Sequence, residues 1–324
     1  MRIYDSNGNL QYSDILGELN LGKYIRNITI DNSSNANNLT DYQVLITLDT
    51  ATLISAGKMR SDCGDIRFYD GANNLSYWIE SGINTSSTRI WVKVPSIPAS
   101  SSKVISMYYG NPNLGSISNG DNTFSFFDDF NGTSLDTDKW LTIGSPSISF
   151  SNSQLTFYST SDYSALYTKT SYATNTAMRW YGIFGNSSKG YYAQGYWLNT
   201  VKSWDFSSGY TSPAFIVHWE TAPKIEAYPS KTDTGYTTTN RPLRIYEVRR
   251  KSNGNAVFLI NDSQVYSDTS LTDTSPYSFG TQHYSADGSA NAHVFDYVFV
   301  RKYIYPDPST SVGSEYAASS IRIR

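Results

Sequence analysis

Two segments far apart in the chain constrain its fold more than any other feature. Phe124-Ser-Phe-Phe-Asp-Asp-Phe-Asn-Gly-Thr-Ser-Leu-Asp-Thr-Asp-Lys-Trp140 is an aromatic-rich run carrying paired aspartates. Val294-Phe-Asp-Tyr-Val-Phe-Val-Arg-Lys-Tyr303, near the other end, alternates along its length. Alternation with period two is strand patterning, because successive side chains point to opposite faces of a sheet. The two runs read as strands of a second domain. No segment sustains a 3.6-residue period, so the chain is expected to be all-β.

Composition narrows the functional classes. The 324 residues suffice for about two domains, and 39% hydrophobic content builds real cores. Aromatics reach 15%, with 27 tyrosines and 7 tryptophans, side chains whose flat apolar face and polar tip suit sugar rings and protein interfaces alike. Charged residues are 16% and the net charge is −3, so the basic stripe that nucleic-acid binding needs is absent.

Cys63 is the single cysteine, which rules out an intrachain disulfide. No apolar run approaches the ~20 residues needed to span a bilayer as a helix, and Met1-Arg-Ile-Tyr-Asp-Ser-Asn-Gly-Asn-Leu lacks the apolar core of a signal peptide. The expectation is a leader removed ahead of Met1, or export by assembly into a virion. Asn-x-Ser/Thr sequons stand at Asn27, Asn32, Asn38, Asn74, Asn84, Asn131, Asn186 and Asn261. They are candidate glycosylation sites, although chains rich in Asn, Ser and Thr also produce them by chance.

Four segments are expected. Residues 1–22 form an arm with an Asn7-Gly8 hairpin turn. Residues 23–115 form a β-sandwich, with alternating strands at Tyr24–Ile30, Tyr42–Leu48, Asp65–Tyr69, Leu75–Ile79, Thr88–Val94 and Lys103–Tyr109, and a helical turn near Thr52–Lys58. Residues 116–308 form the second domain. There Leu243–Asp262 reads as strand, Asn253-Gly254 turn, strand and Asn-Asp turn. Residues 309–324 read as a tail, ending in an Ile321-Arg-Ile-Arg324 strand that could add to a neighbour.

Asp41-Tyr-Gln-Val, Gly64-Asp-Ile-Arg-Phe, Tyr77-Trp-Ile-Glu80, Ile90-Trp-Val-Lys-Val-Pro95 and Met107-Tyr-Tyr-Gly-Asn-Pro112 resemble the domain of unknown function 2341 family over most of residues 23–115. That family occurs in archaeal and bacterial surface proteins and in viral proteins, and carries no established activity. Residues 120–308 resemble the concanavalin A-like lectin and glucanase (LamG-like) superfamily. This implies a jelly roll whose first and last strands lie side by side. The fold class expected is therefore all-β, two β-sandwich (jelly-roll) domains, the second concanavalin A-like.

Three kinds of site are open. The first is a glycan groove. A pyranose stacks its C–H face on an aromatic ring while carboxylates, amides and guanidinium groups bind its hydroxyls. Alternation groups His218 with Glu220, Glu226 with Tyr228, Arg179 with Tyr181, and Arg244 with Tyr246, and Trp197, Trp204 and Trp219 lie in the same aromatic-rich region. If the strands are neighbours, these residues line one groove; the alternative is that many of them are core. The second is hydrolysis by Glu220 and Glu226 across a glycosidic bond, although the Glu-x-Asp-x-x-Glu signature found in laminarinases of this superfamily is absent. The third, implied by the resemblance, is Ca²⁺ held by Asp128 or Asp129 with Asp296; these aspartates could equally bond loop amides. The three histidines show no zinc spacing.

The combined expectation is a non-enzymatic, carbohydrate-binding surface protein. It would be a virion receptor-binding spike or fibre, or a cell-surface adhesin, with host or cell-surface glycans and other virion or surface-layer subunits as partners. A homo-oligomer on the virion or cell surface is expected. The alternatives are a structural subunit of a capsid, filament or coat, and a glycan depolymerase.

Overall fold

The computed structural model describes residues 21–159, 163–185, 190–197, 212–217, 224–285 and 292–318. The expected Asn7-Gly8 hairpin and the Ile321–Arg324 strand lie outside them. The chain forms two compact units: one contains residues up to Thr123 and from Pro308 onward, the other Phe124–Asp307.

The first unit contains β1 (Tyr24–Asp31), β2 (Leu39–Leu48), α1 (Thr50–Ser55), β3 (Arg67–Asp70), β4 (Asn73–Leu75), β5 (Tyr77–Ser81), β6 (Thr88–Ile97), β7 (Ser102–Tyr109) and α2 (Gly120–Thr123). Alternation is what makes these strands amphipathic: Ile28 and Ile30, Val44 and Ile46, Ile90 and Val92, Ile105 and Met107 are all buried. Asp49 caps α1 by accepting from the Thr52 N–H at 3.0 Å. The segment 116–123, expected in the second domain, belongs to this unit. Gln43 Nε2 donates to the Thr123 carbonyl, and Ser118 Oγ accepts from the Ile79 N–H.

The second unit continues with β8 (Phe126–Asp128), β9 (Trp140–Ile143), β10 (Ser147–Ser151), β11 (Gln154–Tyr158), β12 (Ser164–Thr168), β13 (Thr176–Ile183), β14 (Gly190–Trp197) and β15 (Ala214–Val217). There follow β16 (Lys224–Tyr228), β17 (Thr232–Thr237), β18 (Arg244–Arg250), β19 (Ala256–Ile260), β20 (Ser263–Asp268), β21 (Ser278–Ser285) and β22 (His293–Lys302), after which β23 (Ser309–Ala317) returns to the first unit. One sheet runs β10-β11-β22-β13-β18-β19-β20 with β8 beside β22, and the other runs β17-β16-β15-β14-β21-β12-β9. Phe126–Asp128 pairs antiparallel with Val298–Val300, so the opening and closing strands are adjacent as the resemblance implied. The architecture is all-β, two sandwiches, the second a concanavalin-like jelly roll. The β18–β19–β20 hairpins follow the turn chemistry of the sequence: Gly254 takes φ +90°, and Asn261 and Asp262 take φ 51° and 64°.

Residues 309–317 are not a free tail. They form β23, which pairs with β1 from Tyr24↔Ala317 to Asp31↔Ser309 at the edge of the sheet β23-β1-β7-β3-β4. Glu315 secures the strand by accepting from Tyr109 Oη at 2.6 Å and pairing with Lys58. Pro306 and Pro308 punctuate the chain only between β22 and this strand.

The core of the second unit is aromatic. Trp180 stacks on Tyr246 at 5.6 Å and meets Phe215 and Phe279 edge-on or tilted at 6.0 and 5.3 Å, each pair adding about 0.5–1.5 kcal/mol beyond burial. On the outer face of the β13–β18–β22 region lies an ion network. Glu247 accepts from Arg179, Arg249 and Arg301, each at 2.8 Å, and Asp262 and Asp307 complete it. Burial works to raise the Glu247 carboxyl, but the three guanidinium groups overcome it and hold it well below the usual range.

Two outcomes follow. Glu247→Gln is expected to destabilise the protein by about 3–5 kcal/mol in chemical denaturation, because buried guanidinium charge loses its partner. His293 is fully buried beside His283, Arg241, Tyr192 and Gln194, and burial, with His283 and Arg241 adding to it, holds its imidazole well below the usual range. The unfolded chain takes up this proton near pH ~6.5 while the folded chain does not, so stability falls as pH drops below that value. The melting temperature is expected to drop from pH 7 to pH 5, and to drop less in His293→Gln.

Candidate functional site

The two outer faces of the jelly roll differ. In the sheet β17-β16-β15-β14-β21-β12-β9, core-facing positions are taken by Tyr192, Gln194 and Tyr196, by Phe215 and Val217, and by Ile225 and Ala227. Alternation then sends the intervening residues outward. Register aligns them in two cross-strand rows. One reads Tyr228, Ala214, Gly195, Gly280, Tyr167, and the other Glu226, Ile216, Ala193, Gln282, Ala165. Tyr228 and Tyr167 thus stand four strands apart, roughly 19 Å, with three very small residues between them.

The small residues leave a depression no larger than a water molecule, lined by Ala193, Gly195, Ala214, Gly280 and Gln282 among others, in a trough flanked by the tyrosines and packed with the buried cluster of Ala165, Ala193, Ile216 and Tyr228. Gly195 is required there: at φ +144° an added Cβ would lie 2.8 Å from Ala214 Cα. The trough is recessed rather than open, with Tyr228 at 4% and Glu226 at 8% exposure. Gln282 is 4% exposed; its Oε1 accepts from Tyr163 Oη at 3.4 Å, and its Nε2 is buried with no hydrogen-bond partner. Lys224 and Asp233 pair at the trough's end, at 2.7 Å.

Of the expected groove residues whose side chains are described, only Glu226 and Tyr228 are placed together on this face. Arg179, Tyr181, Arg244 and Tyr246 belong to strands of the other sheet, so they share no groove with Glu226. Arg179 is fully buried in the ion network. Tyr246 lies in the core against Trp180. Tyr181 faces out from the other sheet and stacks on Tyr297 at 5.8 Å. Arg244 lies over the Tyr236 ring and donates to the Thr237 carbonyl. Trp197 ends β14, while Trp204, His218, Trp219 and Glu220 lie outside the described residues. Tyr167, Gln282 and the small-residue floor went unread in the sequence. The signal that would find them is alternation in Tyr192-Ala-Gln-Gly-Tyr196, where aromatic and amide residues face one way and Ala193 and Gly195 the other.

The aspartates do not fit a cation. Asp128 spends one oxygen on the Phe130 N–H at 2.9 Å and the other on Trp140 Nε1 at 2.7 Å, and Asp296 accepts from Gln154 Nε2 at 3.1 Å. Asn131 Nδ2 donates to Asp129 at 3.3 Å. Among the described residues, no group of three or more His, Cys, Asp or Glu side chains is placed to hold a metal ion. Burial pushes the Asp128 carboxyl up, and the Trp140 and Phe130 donors draw it back. Asp128 and Asp129 organise the β8 turn through Phe130 and Asn131, the alternative weighed above, while Asp296 ties β22 to Gln154 of β11.

Among the sequons, Asn32 cannot carry a glycan in the folded protein. It is buried, its Nδ2 donates to the Pro98 carbonyl, and its Oδ1 accepts from Asn35. Asn27, Asn38, Asn74, Asn84, Asn131 and Asn261 are exposed, and Asn186 lies outside the described residues.

The family described as "Domain of unknown function (DUF2341)" matches residues 62–143, from the middle of the first sandwich into β9 of the second. No curated protein matches the chain. Among solved structures, the Bacillus licheniformis β-glucanase is 13% identical, with 55% of this chain and 97% of that one covered and a TM-score of 0.40. An endo-β-1,3-glucanase from Pyrococcus furiosus is 9% identical over 56% and 94%, with a TM-score of 0.41. The Emp47p carbohydrate recognition domain is 10% identical over 54% and 93%, with a TM-score of 0.38. These likenesses concern the fold alone.

Asp128→Ala would strand the buried Trp140 indole N–H. A loss of about 1–3 kcal/mol is expected, read by denaturant unfolding with and without Ca²⁺, and the loss should be the same in both.

Proposed function

We propose that this chain is a non-enzymatic, carbohydrate-binding surface protein whose jelly roll takes a glycan in the trough between Tyr228 and Tyr167. The observation that carries this reading is the pair of cross-strand rows, in which two tyrosines flank a floor of Ala214, Gly195 and Gly280 beside Glu226 and Gln282. Tyr167, half-buried, offers a stacking face for a pyranose ring, and the buried Tyr228 backs the other end of the trough. The carboxylate accepts from sugar hydroxyls, and the amide serves as donor or acceptor. A recessed trough orients a ligand by shape as well as by contact.

What supports a binding rather than a cleaving role is that, among the described residues, the trough's carboxylates are Glu226 and Asp233, and Asp233 is held by Lys224. Glycoside hydrolysis needs two carboxyl groups roughly 5–10 Å apart. The surface role we infer is that of a virion receptor-binding spike or fibre, or of a cell-surface adhesin. A Ser-, Thr- and Asn-rich chain of low charge and exposed sequons supports it.

A glycan array including cell-surface polysaccharides tests the reading. Tyr228→Ala and Tyr167→Ala are each expected to weaken binding about tenfold, while Tyr181→Ala on the opposite sheet leaves it unchanged. A folded protein that binds no glycan, or binding indifferent to both trough variants, would refute it.

A further inference from the structure

The first sandwich has an open aromatic face of its own. In the sheet β23-β1-β7-β3-β4, Ile28, Ile30, Ile105, Met107 and Phe68 are buried in the core, so alternation sends their neighbours outward. Register aligns these in cross-strand rows. One reads Tyr316, Ile25, Tyr108, and the next reads Asn27, Ser106, Tyr69, Asn74. Of the three most exposed large hydrophobic side chains among the described residues, two project from this face, Val104 at 52% and Tyr316 at 45%.

Tyr316 is held as a platform. It stands opposite Ile25, yet its Oη donates to Asn27 Oδ1 at 2.9 Å, two residues further along β1. The side chain therefore lies along the sheet instead of standing away from it, and turns a ring face to solvent. A bulge in β23 puts Gly313 and Ser314 opposite Asn27, so no bulky side chain competes for that space. A ring tethered at its tip loses little rotamer freedom when something stacks on it. On the far side of β1, Tyr108 and Tyr69 meet edge to face at 5.6 Å.

Charge then limits the ligand. Along the two rows, among the described residues, the ionised side chain is Arg67 beside Tyr108. It is buried and gives its guanidinium to the carbonyls of Gly64, Ile66 and Gly115. Lys23 precedes β1 and Asp31 ends it, so both lie outside the rows. An anionic polymer would be desolvated here without a cation to pair with. A tight protein partner would want an apolar core, whereas the groups between the rings are the amides of Asn27 and Asn74 and the hydroxyl of Ser106. Amides and hydroxyls exchange hydrogen bonds with sugar hydroxyls, while tyrosine rings cover the C–H face of a pyranose. From β23 to β4 the rows cross four strand spacings, roughly 19 Å, which suits several linked sugars better than one.

We propose that the outer face of β23-β1-β7-β3-β4 is a second carbohydrate-binding surface, independent of the jelly-roll trough, that takes an uncharged oligosaccharide laid across Tyr316 and the Tyr108–Tyr69 pair.

Titration calorimetry of the full chain with cellohexaose, laminarihexaose and mannohexaose tests it, with hexagalacturonic acid as the charged control. The protein is made without N-glycans, because Asn27 and Asn74 are sequons on this face. At least one neutral hexaose is expected to bind and the charged one not to. Tyr316→Ala, at an exposed position, is expected to weaken that binding about tenfold. Tyr316→Phe, which keeps the ring and cuts the tether to Asn27, should cost less, and Tyr167→Ala in the trough should leave the binding in place. Thermal unfolding checks that each variant folds. Binding indifferent to Tyr316→Ala, binding of hexagalacturonic acid alone, or no hexaose bound by the folded protein would overturn the surface. Loss in Tyr167→Ala but not in Tyr316→Ala would overturn this face and leave the trough standing. Self-association abolished by Tyr316→Ala in sedimentation, with no hexaose bound, would make the face a contact between copies and overturn the proposal.

Discussion

A polar bridge through the middle of the second sandwich sets the position of everything on its outer face. Gln194 on β14 accepts from Trp180 Nε1 at 2.6 Å and engages His293 Nδ1 at 2.6 Å, both from the opposite sheet. In a core this apolar, an amide has a single arrangement that satisfies it. A one-residue slip of β14 would turn Gln194 outward and drive Ala193 and Gly195 inward, exchanging every side chain between the faces. The bridge therefore locks the register that puts small residues on the outer face and builds the trough.

The opposite sheet handles its outer face in another way. Arg179, Arg249 and Arg301 converge on Glu247, and Tyr297 and Phe299 pack alongside. Such a cluster contributes little net stability compared with an apolar filling of the same shape, yet it penalises any partial disassembly because each ion depends on the others. One sheet is thus committed to a closed, charge-paired layer. The other carries Glu226 and Gln282 on its outer face beside a floor of small residues.

The first sandwich is closed by residues from the far end of the chain. β1 pairs with β7 on one side and β23 on the other, so the jelly roll is inserted between parts of a single sheet. Bringing such remote segments together costs loop-closure entropy that rises only slowly with length. The long insertion is tolerable, and the carboxylate of Glu315 against Tyr109 and Lys58 holds the returning strand in place.

Much was legible in the residues alone. Alternation placed the strands of the first sandwich and the β18–β19 hairpin, the paired aromatic runs marked the limits of the jelly roll, and the Asn-Gly and Asn-Asp turns fell where positive φ is needed. The face shared by Glu226 and Tyr228 was also readable, because parity within a strand is a local property. Which sheet a strand joins is not local. Arg179 and Arg244 look like Glu226 in their polar alternation, and only long-range pairing shows that they belong to the facing sheet, with one neutralised by Glu247 and the other laid over Tyr236. The same limit hid β23, whose small polar residues read as a tail until β1 offered its edge. The sequence by itself determined the fold class, the strand parity and the turns, since these follow from backbone sterics and neighbouring residues. The tertiary structure alone decided the trough, because its rows are assembled from five strands whose order no local pattern encodes.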